Sequence, residues 1–181
     1  MNYYRLKDDV QYPGRWLLGD VLDVDNWVLV SQGGGAGPVQ IELYRDGVEL
    51  DFTFSEVYGV SVVSAKVKNI LIGLPGLEFI PASVVPPISS RDFYIVVVSK
   101  QVDCVDEDKS EFTKFEINDP IRPDKAGQYR GFMNLKLDPL KVAGIDIFRV
   151  AKFNVAIVVS ETIKKSFEAA AVTGLRFESV V

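Results

Sequence analysis

Two segments far apart in the chain carry the same pattern. One is Val62-Val63-Ser64-Ala65-Lys66-Val67-Lys68-Asn69-Ile70-Leu71, the other Val158-Val159-Ser160-Glu161-Thr162-Ile163-Lys164-Lys165-Ser166-Phe167. Each reads Val-Val-Ser, two residues, a β-branched apolar residue, Lys, two residues and a large apolar residue. Each is followed by Gly-Leu-x-Phe, at Gly76 to Phe79 and at Gly174 to Phe177. The physical content is a strand that ends at Val-Val and a serine placed to cap a helix by accepting a bond from an orphan backbone N–H. A short amphipathic helix follows, a glycine breaks it, and a new strand begins. The pattern predicts helices over about 64–73 and 160–172. A duplication and a recurrent local solution found twice account for it equally well.

The remaining chain offers short β-like runs. Tyr3 to Leu6, Arg15 to Leu18, Trp27 to Val30 and Val39 to Tyr44 make the first 54 residues β-rich. In the last of these, Ile41 and Leu43 alternate with polar residues, as on a half-buried strand. Pro13-Gly14, Asp25-Asn26 and Asp46-Gly47 read as turns, the last as a hairpin turn. Phe93 to Val98 is apolar throughout and reads as a central strand. Phe112 to Ile117, Phe132 to Leu137, Ile145 to Val150 and Val155 to Val159 read as further strands. Pro81 to Pro87 and Pro120 to Pro123 read as connectors, because proline cannot donate to a sheet ladder. The expected class is α+β: a mainly antiparallel or mixed β-sheet with two principal short helices. A chain of 181 residues suits a single domain over 1–181, with residues 1–54 as a candidate β-rich N-terminal subdomain.

The chemistry is bounded mainly by what is missing. The chain has no histidine, which removes the commonest general base and metal ligand and excludes Ser-His and Cys-His arrangements. Its single cysteine, Cys104, stands among Asp103, Asp106, Glu107 and Asp108, whose charges disfavour a thiolate. One cysteine forms no internal disulfide, which favours a cytoplasmic setting. The run Gly33 to Pro38 lacks the Gly-Lys-Ser/Thr of a phosphate loop and reads as a flexible surface loop. The acidic stretch 103–108 lacks the central glycine of a calcium loop. It reads as a solvated loop, and its functional alternative is a contact patch for a basic partner, with Asp103, Asp106, Glu107 and Asp108 as candidate binding residues. Trp16 and Trp27 lie in apolar runs and are expected to pack in or near the core. The formal charge of −5 disfavours nucleic-acid binding and suits a basic protein partner. No apolar stretch approaches the roughly 18 residues needed to cross a membrane, and the N-terminus lacks a secretory pattern. No catalytic residue, metal or cofactor is expected. A small ligand-binding domain, or an enzyme using a carboxylate pair, stays open as the alternative.

Motifs along nearly the whole chain add a resemblance. They are Tyr3-Tyr4-Arg5-Leu6, Pro13-Gly14-Arg15-Trp16, Gly47-x-x-Leu50-Asp51-Phe52-Thr53, Val62-Val63-Ser64, and Asp103-Cys104-Val105-Asp106 near Ser110. The tail continues with Ile147-Phe148-Arg149-Val150, Ile157-Val158-Val159-Ser160-Glu161 and Gly174-Leu175-Arg176-Phe177. In order and spacing these resemble immunity family eleven of bacterial polymorphic-toxin systems, formerly a domain of unknown function. The resemblance implies a small cytoplasmic protein, not an enzyme, that binds and neutralises a cognate toxin encoded nearby. Trp16, Ser64, Asp106, Phe148 and Arg149 recur in that pattern and serve either the fold or the interface.

Overall fold

A computed structural model describes residues 1–33, 37–86 and 91–181. In chain order its elements begin with β1 (Tyr3–Asp8), β2 (Leu17–Val21), α1 (Asn26–Gln32), β3 (Val39–Arg45), β4 (Phe52–Phe54) and β5 (Ser61–Ser64). They continue with α2 (Ala65–Leu71), β6 (Leu77–Val85), β7 (Phe93–Val98), β8 (Gln101–Val102), β9 (Glu111–Lys114) and β10 (Tyr129–Asn134). The last are α3 (Pro139–Val142), β11 (Ile147–Val150), β12 (Phe153–Ser160), α4 (Glu161–Ala169) and β13 (Leu175–Ser179). One sheet has the order β13-β1-β12-β11-β8 and another the order β2-β3-β6-β7-β5-β4, while β9 and β10 form a separate ribbon. Both large sheets are mixed, through the parallel pairs β8/β11 and β3/β6. The fold is α+β, as expected.

The repeated Val-Val-Ser segments are the cores of two equivalent units. In one, the strands lie in the order β4-β5-β7-β6; in the other, β11-β12-β1-β13. Every adjacent pair within these quartets is antiparallel. The helix leaves the second strand and returns to the fourth in both. Equivalence extends to register: Ser64 stands opposite Phe93 and Ser160 opposite Tyr3. Counting from those two residues, Leu77 meets Val98 as Leu175 meets Asp8, and Phe79 meets Val96 as Phe177 meets Leu6. The strand inserted in the middle follows its unit in the chain in one case (β7) and precedes it in the other (β1).

Each unit closes its hairpin in the same way. Ser64 N donates to Asp51 O at 2.8 Å, and Ser160 N donates to Asp146 O at 2.9 Å. Ser64 Oγ donates to Asp51 Oδ1 at 3.0 Å, and Ser160 Oγ to Asp146 Oδ1 at 2.6 Å. Only Ser160 also caps its helix, accepting from Ile163 N at 3.4 Å. The Ser64 side chain makes no capping bond.

The two units meet on a shared apolar layer. Val63, Val67 and Leu71 join their counterparts Val159, Ile163 and Phe167 in one buried cluster. The opposite strand faces are buried too. Val62 and Ile95 pack with Trp16, Leu18 and Leu29 on the outer face of the six-stranded sheet. Val158 and Phe148 pack with Tyr3, Cys104 and Val142 on the outer face of the other. Strands buried on both faces explain why Phe93 to Val98 reads as a continuous apolar run.

Several local expectations are corrected. Trp27 to Val30 is helical, within α1. Asp25, read as part of a turn, is its N-cap and accepts from Val28 N at 3.0 Å. Asn26 holds the incoming chain through Val21 N and O, both at 2.9 Å. Asp46-Gly47 does not turn a hairpin, because β3 pairs with β2 and β6 rather than with β4. Gly47 instead passes against the 14–15 backbone, where a Cβ would stand 2.4 Å from Gly14 O. Pro81 to Val85 belong to β6 rather than to a connector. Pairing with β3 begins only at Ala82, so Pro81 sits just before that edge is occupied. Pro87 and residues 34–36 of the glycine run lie outside the described residues.

Candidate functional site

The acidic loop follows the short strand β8. Its carboxylates are engaged by cations of the same chain. Asp103 pairs with Lys152 at 3.1 Å and Asp106 with Lys109 at 2.8 Å. Glu107 pairs with Lys114 at 2.6 Å and accepts from the Tyr129 hydroxyl at 2.5 Å. The Lys109 ammonium holds the Asp106 carboxyl below its ordinary range, and Lys114 with Tyr129 does the same for Glu107. Asp108 is exposed and makes no ion pair among the described residues. Cys104, between them, is buried. Burial first, and the Asp103 charge second, push its thiol up to about 12, so it is no nucleophile in the folded protein.

Two of these partners, Tyr129 and Lys152, also line a groove beside the loop. Trp27 from α1 lines it, 37% exposed and so at the margin of the core rather than within it. Phe115, and Phe153 and Asn154 at the start of β12, also line it. Lys125 Nζ lies 5.2 Å from the Trp27 ring centre and 5.6 Å from that of Phe115. The Arg130 guanidinium lies 5.8 Å from the Phe115 ring centre. Neither Lys125 nor Arg130 makes an ion pair among the described residues. A second hollow shares Trp27 and Lys125 and adds Tyr58, Arg122, Asp25 and Asp124. The Trp27 and Tyr58 rings are 5.8 Å apart. Here both carboxylates are committed, Asp124 to Arg122 at 2.8 Å and Asp25 to the α1 cap.

Other polar clusters serve the fold. Asp51 is buried beneath the start of β4 and receives Ser64, Lys66 (2.8 Å), Arg91 (2.7 Å) and both donors of Thr173 (3.2 Å each). Burial pushes its carboxyl up, but Lys66, Thr173 and Ser64 outweigh it and hold the group low. Arg149 is buried without a carboxylate and donates to the Val98 and Asn154 carbonyls. Desolvation brings its guanidinium down to about 10. Among the described residues no group of three or more Cys, Asp or Glu side chains is placed to hold a metal, and no helix is long and apolar enough to cross a membrane.

Comparison with known families decides the classification. The Immunity protein family (Imm11) matches residues 42–181. This chain belongs to the Imm11 immunity protein family. No curated protein matches it. The Imm11 match covers both hairpin-helix-strand units, but not β1, the strand that completes the second quartet, nor α1, which supplies Trp27. Trp16, Ser64, Phe148 and Arg149 are buried, so they serve the fold of this chain rather than its surface. Asp106 lies in the surface loop. The groove escaped sequence reading because its residues come from α1, the 115–130 segment and β12, with no local spacing to join them. Trp27 and the cations Lys125 and Arg130 were the only individual signals available.

Proposed function

We propose that this protein binds a toxin domain encoded beside it in the cytoplasm of a bacterium and neutralises it, without catalysis of its own. Family membership over residues 42–181 carries the reading. Its support from the surface is the groove. Exposed Trp27 beside Arg130, with exposed Tyr58 in the adjoining hollow, is the composition of residues that dominate binding energy at protein interfaces. Glu107 and Asp103 bond to the groove's Tyr129 and Lys152, which supports assigning their loop, with Asp106 and Asp108, to the periphery of the same contact. There, charge guides approach and register more than it adds affinity. Inhibition then follows from steric cover of the toxin's working surface or from trapping an inactive conformation.

Co-expression tests the proposal. Cells expressing the neighbouring gene's toxin should stop growing, and this chain expressed with it should restore growth. The two purified proteins should also co-elute. A neighbouring product that is harmless, or cells that die despite this chain, would end the reading.

A further inference from the structure

The charges of the candidate interface are distributed against the overall charge of the chain. The protein is acidic, at −5, and three carboxylates of its conspicuous acidic loop, Asp103, Asp106 and Glu107, are paired with Lys152, Lys109 and Lys114. The groove itself is lined by the cations Lys125, Arg130 and Lys152 and by no carboxylate among the described residues. Lys125 and Arg130 lie over the Trp27 and Phe115 rings with no carboxylate partner among the described residues. A cation over aromatic faces is oriented and partly desolvated, and the acids nearby, Asp124 for Lys125 and Asp119 for Arg130, are engaged instead by Arg122 and by the 121–122 backbone. Arg adds a planar fork that matches a carboxylate with two parallel bonds.

We infer that this groove is the seat of a carboxylate-bearing segment of the toxin, an Asp or Glu side chain entering between Trp27 and Phe115 to pair with Lys125 and Arg130. The inference rests on the immunity reading and deepens it by assigning the contact and its chemistry. It reverses the charge pattern that composition suggests, in which the acidic loop reaches for a basic partner. The aromatic surface of the groove and of the adjoining hollow favours a polypeptide over a small anion. Trp27 and Tyr58 give the flanking residues of such a segment apolar surface on which to lie.

The experiment is binding of the neighbouring gene's toxin domain, catalytically inactivated, to the full chain and to two charge-reversed forms. Lys125→Glu with Arg130→Glu reverses the groove. Lys141→Glu with Lys165→Glu makes the same change in net charge on α3 and α4. The groove double variant should lose at least ~30-fold in affinity, the cost of removing one side of a desolvated charge pair. Its melting temperature should match that of the control, which should bind like the wild type. Trp27→Ala should weaken binding in the same direction. Equal binding by both double variants overturns the groove assignment and leaves the immunity reading intact. Failure of the wild type to bind the toxin overturns both. A titration of inorganic phosphate followed by Trp27 fluorescence is the remaining arm. Micromolar saturation by phosphate, with toxin binding indifferent to the groove reversal, would make this a small-anion site and overturn the assignment.

Discussion

Asp51 shows how one buried carboxylate can tie the two units together. Its donors come from its own unit (Ser64, Lys66), from Arg91, and from Thr173 after the helix of the other unit. Asp51→Asn keeps the shape but removes the charge that these donors surround. It should cost about 3 kcal/mol at neutral pH, as expected when one side of a buried ionic network is removed. The sign with pH follows from the depressed carboxyl. The stability it contributes is present above the ordinary carboxylate value and is lost as pH falls through the folded value. Denaturant titrations at neutral and acidic pH should therefore show a smaller acid loss in Asp51→Asn than in the wild type. An equal loss would mean other carboxylates carry the acid sensitivity. Cys104 behaves oppositely. Its folded thiol is raised to about 12, so its contribution is intact below the ordinary thiol value and lost as pH climbs from there towards 12. A thiol reagent at pH 8 should find no reactive cysteine in the native protein and one in denaturant. At this scale the sequence was informative about Cys104, because acidic neighbours sit beside it in the chain. It was silent on Asp51, whose partners converge from three stretches of chain: Ser64 with Lys66, Arg91, and Thr173.

Among the elements, the two units share a plan but differ at their closing glycines, and the difference is measurable. Both glycines have left-handed backbones, φ +77° at Gly76 and +97° at Gly174. At Gly76 an added Cβ would meet Ser99 Oγ at 3.4 Å, Lys100 Cβ at 3.5 Å and Lys100 N at 3.7 Å, all at or near ordinary contact. At Gly174 it would stand 2.0 Å from Phe52 O, because the turn after α4 packs onto the start of β4. Phe52 N donates to Thr173 O at 3.0 Å there. Gly76→Ala should thus cost about 1 kcal/mol, the backbone penalty alone. Gly174→Ala should cost well beyond ~3 kcal/mol, since backbone on both sides must move. Urea titrations of the two variants would compare them directly, and equal losses would show that the contact at Phe52 yields easily. The helices of these units were legible because Val-Val-Ser, a capping position and a glycine occur together in sequence. Helix α1 was not. Two turns with adjacent apolar residues look alike on a helix and on a strand, and the Asp25-Asn26 pair signals a turn as readily as a cap.

At the scale of the molecule, the order of strands was beyond local patterns, because β1 precedes and β7 follows the unit whose middle it fills. That topology bears on whether residues 1–54 act as a unit. β1 is the shared neighbour of β12 and β13. Deleting it would leave those strands unpaired with each other, and Val48 and Trp16 tie the next segment back at 3.1 Å. We therefore expect the whole chain to unfold in one transition, with circular dichroism and tryptophan fluorescence coinciding. Core substitutions test the same point. Phe148→Ala lies on an outer face and should cost about 3–5 kcal/mol. Leu71→Ala and Phe167→Ala occupy equivalent positions in the shared layer and should cost about 2–5 kcal/mol each. Because these two are in one cluster, their double variant should depart from additivity, whereas Phe148→Ala with Leu71→Ala should come closer to it. All should shift the single transition without splitting it. A second transition, moved by Leu71→Ala but not by Phe148→Ala, would mean that the two units fold independently and only lean on each other.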